Sequence, residues 1–144
     1  MTSPTYTISP VGVIRKKEDI AFIEIEEDFK DALLGLDQFS HIHVITWFHK
    51  NDSPEKRTTL QVHPRNNRNN PLTGVFATRS PLRPNLIALF KCRILSIKGR
   101  MIQLDHINAF DGSPVIDIKP YIPRIDAVPE AKVAWWAEMG SHAT

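Results

Sequence analysis

The chain has 144 residues, 42% of them hydrophobic and 24% charged, with a formal net charge of +2. That composition predicts a single globular domain with a real core and excludes a disordered or collagen-like chain. One cysteine, Cys92, excludes an internal disulfide framework, and no apolar run approaches the roughly 20 residues that span a bilayer. The N-terminus MTSPTYTISP has neither a charged nor an apolar leader region, so the chain reads as cytoplasmic and free of membrane.

Tyr6 to Ile14 is β-branched and apolar and predicts a first strand. Ile20 to Ile25 predicts a second, joined to the first through the charged turn KKED. In EEDFKDALLGL, Phe29, Leu33 and Leu36 recur at helical spacing behind acidic first-turn residues, which predicts a short helix over 26–36. HIHVITWFH alternates, with Ile42, Val44, Thr46 and Phe48 on one face and His41, His43, Ile45, Trp47 and His49 on the other.

Thr58 to His63 predicts another short strand. PRNNRNNP (64–71) is a polar loop without core-forming residues, expected to be mobile. Val75 to Thr78, Leu86 to Ile97, Arg100 to Ile107 and Val115 to Ile118 predict four more strands, with Lys98-Gly99 as a tight turn. Pro129 opens a predicted C-terminal helix over 129–139. Many short strands with one or two short helices predict a mainly β fold, a compact β-barrel, in one domain over 1–144. No glycine-rich fingerprint follows a strand, which argues against a Rossmann-type nucleotide site.

Charge is uneven. Between Lys56 and Leu104 there are ten lysines and arginines and no acid. Such a stretch reads either as a surface for an RNA backbone or as cations scattered over several faces.

Three stretches look chemical: GVFATRSPLRPN (74–85), DGSPVIDIKPY (111–121) and WFHK (47–50). The first combines two prolines with Arg79 and Arg83 directly after an apolar pair. Prolines pre-set a turn, so its arginines would be ordered before any anion arrives. Asp117 and Lys119 share a strand face, as a polar pair facing a cleft or as a solvent-facing ion pair. His41, His43 and His49 share a face, and i, i+2 spacing can place two imidazoles on one metal, but nothing supplies a convincing third or fourth ligand, so no metal site is expected. Cys92, inside LIALFKCRIL, reads as a small buried residue, and Trp135-Trp136 as packing, subunit contact or a base-stacking platform.

GVFATRSPLRPN followed by DGSPVIDIKPY resembles the paired signature of the TsaA-like (YaeB, TrmO) family, and VGVIR and LGLDQFSHIHVITWFHK resemble its first segments. The resemblance covers about residues 8–124. It implies a small β-barrel that binds S-adenosylmethionine without a Rossmann fold, works as a homodimer, and methylates N6 of threonylcarbamoyladenosine at position 37 of tRNA, with no role for DNA. Carried over by motif, the cofactor contacts fall at His49, Lys50, Arg79, Lys91, Ile107, Asn108, Ala109 and Phe110. The apolar run 107–110 would enclose adenine, and Asp111, Tyr121 and His49 are candidate bases or polarising groups. KKED is too short to match the family's PRQ loop, and its second domain has no counterpart here. Two other readings therefore stand beside the first: a barrel that holds S-adenosylmethionine as a sensor or partner subunit, and a small-molecule methyltransferase.

Overall fold

Alternation of buried and more exposed residues along β-strands builds the core of the structure. The computed structural model describes residues 3–138. Its strands are β1 (Gly12–Lys17), β2 (Ile20–Ile25), β3 (His41–Trp47), β4 (Gln61–Val62), β5 (Thr73–Gly74), β6 (Ile87–Lys98), β7 (Met101–Leu104) and β8 (Pro114–Pro120). The chain groups into two compact units, Met1–Trp47 with Leu89–Tyr121, and Phe48–Ala88 with Ile122–Thr144.

The first unit contains a closed barrel of strand order β1-β2-β7-β6-β3-β8, with β8 returning to β1. β1 and β2 form the expected hairpin, antiparallel from Gly12↔Ile25 to Lys17↔Ile20. Every second residue points inward, and Ile14, Ile23, Ile42, Val44, Cys92, Ile102, Leu104 and Val115 fill the interior. β-Branched side chains dominate that set because they fit a pleated, half-buried surface. Gly12 is required where β1 meets β2: a Cβ there would lie 2.6 Å from the Glu24 carbonyl oxygen.

Residues 3–11 carry no strand, contrary to the expectation from Tyr6 to Ile14. Tyr6 is 87% exposed, so β-propensity there finds no surface to pack on. The segment 26–36 is not one helix. It is a 3₁₀ helix over Glu27–Leu33, interrupted by Gly35 at φ +87° and followed by a second 3₁₀ turn, Leu36–Gln38. Arg100 fastens it to the barrel, donating to the Ile25 carbonyl at 2.6 Å and pairing with Glu27 at 2.9 Å.

The second unit is short-ranged in character. A four-residue helix, α1 (Pro54–Arg57), is N-capped by Ser53, whose hydroxyl accepts from the Lys56 N–H. The strand expected over 58–63 shrinks to β4, paired only with β5. A second short helix, α2 (Pro123–Asp126), follows β8. The predicted helix over 129–139 reduces to a 3₁₀ turn, Trp135–Glu138, while 131–134 are irregular; Met139 lies outside the described residues. Residues 131–135 are all exposed, so no apolar stripe is buried that could hold a longer helix.

The asparagine-rich loop is a knitted turn rather than a loose tether. Asn70 is buried, and its amide donates to the Pro64 carbonyl at 2.8 Å. Its own carbonyl lies 2.9 Å from His63 Nδ1, and the Asn69 N–H donates to the Asn67 side chain at 2.9 Å. Among the described residues no helix is long and apolar enough to cross a membrane.

Candidate functional site

In the second unit, the stretch after β5 is built around one arginine. Val75–Ala77 winds into a 3₁₀ turn instead of the expected strand. The Thr78 hydroxyl donates to the Val75 carbonyl at 2.9 Å and accepts the Ser80 N–H at 3.1 Å. A threonine that satisfies a carbonyl three residues back favours a turn over a ladder. Arg83 then folds back on the same segment. Its Nη1 donates to the carbonyls of Thr78 (3.2 Å) and Ser80 (2.9 Å), and its Nη2 to that of Val75 (3.2 Å). Arg57 braces the far end through Pro84, at 2.9 Å.

The two arginines of this turn therefore differ in role. Arg83 is partly buried and occupied by three backbone carbonyls. Arg79 is exposed and makes no hydrogen bond or ion pair among the described residues. A guanidinium held out on a rigid turn fits a carboxylate or phosphate through its fork of donors. His49 and Lys50 sit in the same unit, on the 3₁₀ turn His49–Asn51 that follows β3.

In the first unit, residues 107–113 run along one side of β1. Ile14 exchanges hydrogen bonds with this segment, its N–H donating to Ser113 at 2.9 Å and its carbonyl accepting from Gly112 at 2.8 Å. Lys16 continues the contact. Its backbone N–H donates to Asp111 Oδ1 at 2.7 Å, and its ammonium donates to the carbonyls of Ile107 (2.9 Å) and Ala109 (3.1 Å). Ile107 and Ala109 are buried in the barrel core, whereas Asn108 and Phe110 are exposed. This corrects the expectation that the whole run encloses adenine: two of its four side chains belong to the core, and their carbonyls are engaged by Lys16. Asn108 and Phe110 are the two exposed side chains of the run.

On the outer face of β3, Tyr121 gathers the remaining candidates of this unit. Its ring lies edge-on to His43 at 5.5 Å and to His41 at 6.3 Å, and Lys91 Nζ stands 5.7 Å from its centroid. The Tyr121 N–H donates to the His41 carbonyl at 3.0 Å, which fixes the residue just past β8. A cation over a phenol ring is an attractive pair. Alternation along β3 gives the side of the strand on which His41 and His43 lie but not their neighbour Tyr121. Asp117 and Lys119 form the solvent-facing ion pair, at 3.4 Å.

Of the three proposed bases, Asp111 is thus engaged by a backbone N–H, Tyr121 lies beside Lys91, and His49 belongs to the other unit. Cys92 is buried and its thiol is pushed up to about 12, first by burial and second by the negative charge of Asp105, so it is no nucleophile. A groove of about 500 Å³ beside the 3₁₀ helix is lined by Phe29, Leu33, Leu36 and Phe39 among others, and by none of the candidate contacts.

Comparison with known proteins bears on these residues. The model of the tRNA-methyltransferase O N-terminal domain family matches residues 8–127. A probable S-adenosyl-L-methionine-binding protein of Methanocaldococcus jannaschii is 46% identical over 121 residues, covering 84% of this chain and 96% of the relative. The human tRNA (adenine(37)-N6)-methyltransferase is 44% identical over 96 residues, which are 67% of this chain but 21% of that protein. A crystal structure of TrmO from P. aeruginosa superposes with a TM-score of 0.73 at 30% identity, covering 94% of this chain and 63% of that one.

Proposed function

The chain belongs to the tRNA-methyltransferase O N-terminal domain family, and from that premise we propose that it is an S-adenosylmethionine-dependent methyltransferase acting on N6 of a modified adenosine at tRNA position 37. The observation that carries the reading is the turn 74–85, in which Arg83 is occupied by three carbonyls and Arg79 is held outward. The chain spans about a fifth of the human methyltransferase and 63% of the bacterial structure, so activity is assigned to the barrel-containing part that they share.

The residues present suit the cofactor. In the second unit Arg79 offers a fork for its carboxylate, and His49 and Lys50 are assigned to it by motif. In the first unit Phe110 offers an apolar face for adenine and Asn108 an amide for its edge, with the backbone of Ile107 and Ala109 behind them. Lys91 is assigned to the cofactor by motif as well. When bound, S-adenosylmethionine supplies an electrophilic methyl group on a sulfonium. Transfer requires the nucleophile within ~3–3.5 Å of that carbon and in line with it. A carbamoylated N6 attacks well only after losing its proton; His49 is assigned to receive it, and Tyr121 beside Lys91 is assigned as a polarising group. Asp111 is withdrawn from that role because Lys16 holds it.

We place the protein in the cytoplasm as a homodimer; the family relation, the single buried thiol and a tRNA substrate support this reading. Calorimetric titration with S-adenosylmethionine, followed by mass analysis of nucleosides from tRNA carrying threonylcarbamoyladenosine, tests it. Binding without a methylated nucleoside would favour the sensor or small-molecule readings instead.

A further inference from the structure

Lys16 is an exposed residue near the end of β1, past the buried Ile14. It has the parity of Gly12 and Ile14, at the end of the strand where the pairing to β8 has stopped. It makes three contacts to a single segment. The backbone N–H reaches Asp111 Oδ1, and the ammonium reaches the carbonyls of Ile107 and Ala109. The segment itself alternates, with Ile107 and Ala109 turned into the core and Asn108 and Phe110 outward. No strand ladder holds residues 107–110; among the described residues Lys16 stands where a partner strand would.

We propose that Lys16 is a positioning residue for the cofactor segment. It touches no ligand itself. By fixing the Ile107 and Ala109 carbonyls it sets the backbone that aims Phe110 and Asn108 outward, so that both are ordered before a ligand arrives. The inference rests on the assignment of 107–110 to the cofactor. Its physical content is separate: at residues 107–111 the Lys16 ammonium and N–H add to the Ile14 bonds at 112–113, so the segment is held by hydrogen bonds and not by packing alone.

Lys16→Met keeps an unbranched side chain one heavy atom shorter and removes the donors. Lys16→Arg keeps two donors that a planar guanidinium can aim at two carbonyls. S-adenosylmethionine is titrated into wild type and both variants, and amide exchange is followed without cofactor. K16M is expected to bind about tenfold more weakly, the equivalent of losing one hydrogen bond to a charged group. K16R is expected to stay within about threefold of wild type, since its donors replace the ammonium. Exchange should quicken in K16M at 108–113 and not in the β2–β7 ladder. In turnover, KM for the cofactor should rise while kcat holds, the signature of lost uniform binding. Wild-type binding with an unweakened K16M overturns the inference alone, as does quickened exchange throughout the barrel. No binding by the wild type overturns the cofactor assignment and this inference with it.

Discussion

Asp111 Oδ1 accepts the backbone N–H of Lys16 at 2.7 Å, a contact between residues 95 apart in sequence. The carboxylate therefore closes the turn at 111–112 onto β1. An asparagine offers the same acceptor oxygen. Asp111→Asn is expected to keep methyl transfer within about threefold and stability within about 0.5 kcal/mol, whereas Asp111→Ala costs ~1 kcal/mol for the lost bond. A general base replaced by its amide would instead lose ~10²–10⁴ in rate, so single-turnover kinetics of D111N decide its role.

Arg79 and Arg83 should separate cleanly by experiment. Arg79→Ala removes an exposed guanidinium and is expected to weaken S-adenosylmethionine by ~1.5–3 kcal/mol with an unchanged Tm. Arg83→Ala removes the donor from the Thr78 and Ser80 carbonyls and one of the donors from that of Val75, and is expected to lower Tm by several degrees. Calorimetry and thermal melts of both variants check this. An R79A with wild-type affinity removes Arg79 from the site.

Cys92 gives the alkaline limb of stability. Its folded pKa, raised to about 12, lies above that of an unfolded thiol, so the folded state keeps a proton that the unfolded state releases. The stabilisation is complete below the unfolded value and is lost as pH rises from there toward the folded one. The slope is at most ~1.4 kcal/mol per pH unit. Denaturant melts above pH 9 should fall less steeply for Cys92→Ala than for wild type. A thiol reagent should label Cys92 only after unfolding.

The cations of the asparagine-rich loop test the RNA surface. Arg65 and Arg68 sit on a knitted turn, with Arg65 at φ +62°, so their positions are set by backbone rather than by a loose tether. Replacing both by alanine is expected to weaken tRNA binding and flatten its salt dependence by about one or two units, given ~0.7–0.9 per phosphate contact. Affinity for S-adenosylmethionine should not change. Filter binding across a salt series measures both, and a double variant that binds tRNA like wild type removes the loop from the interface.

Much of the barrel was legible in the sequence because alternation is a local signal. Parity puts Ile42, Val44, Thr46 and Phe48 on one face, of which the first three are buried and Phe48 half-buried, and the β6–β7 hairpin forms about the Lys98-Gly99 turn as expected. What failed depended on partners outside the window. Tyr6 and Ile8 have strand propensity but nothing to pair with. Val75 to Thr78 looks like a strand until the Thr78 hydroxyl and Arg83 claim the Val75 carbonyl. In the candidate site, motif residues could be named but not sorted. Which arginine is structural, and which side chains of 107–110 face the core, follow from tertiary hydrogen bonds that no spacing encodes. Lys16 carried a sequence signal, a charge at the parity of the buried Ile14, but its partners lie some ninety residues away.

The central claim is methyl transfer to a modified adenosine. The most direct measurement incubates the purified protein with S-adenosylmethionine and tRNA bearing threonylcarbamoyladenosine, then digests the RNA and analyses its nucleosides by mass. The account predicts a threonylcarbamoyladenosine one methyl group heavier, with its fragment placing the methyl on the base, and its loss in Arg79→Ala at limiting cofactor. Unmodified threonylcarbamoyladenosine after incubation with a protein shown to bind S-adenosylmethionine would contradict it.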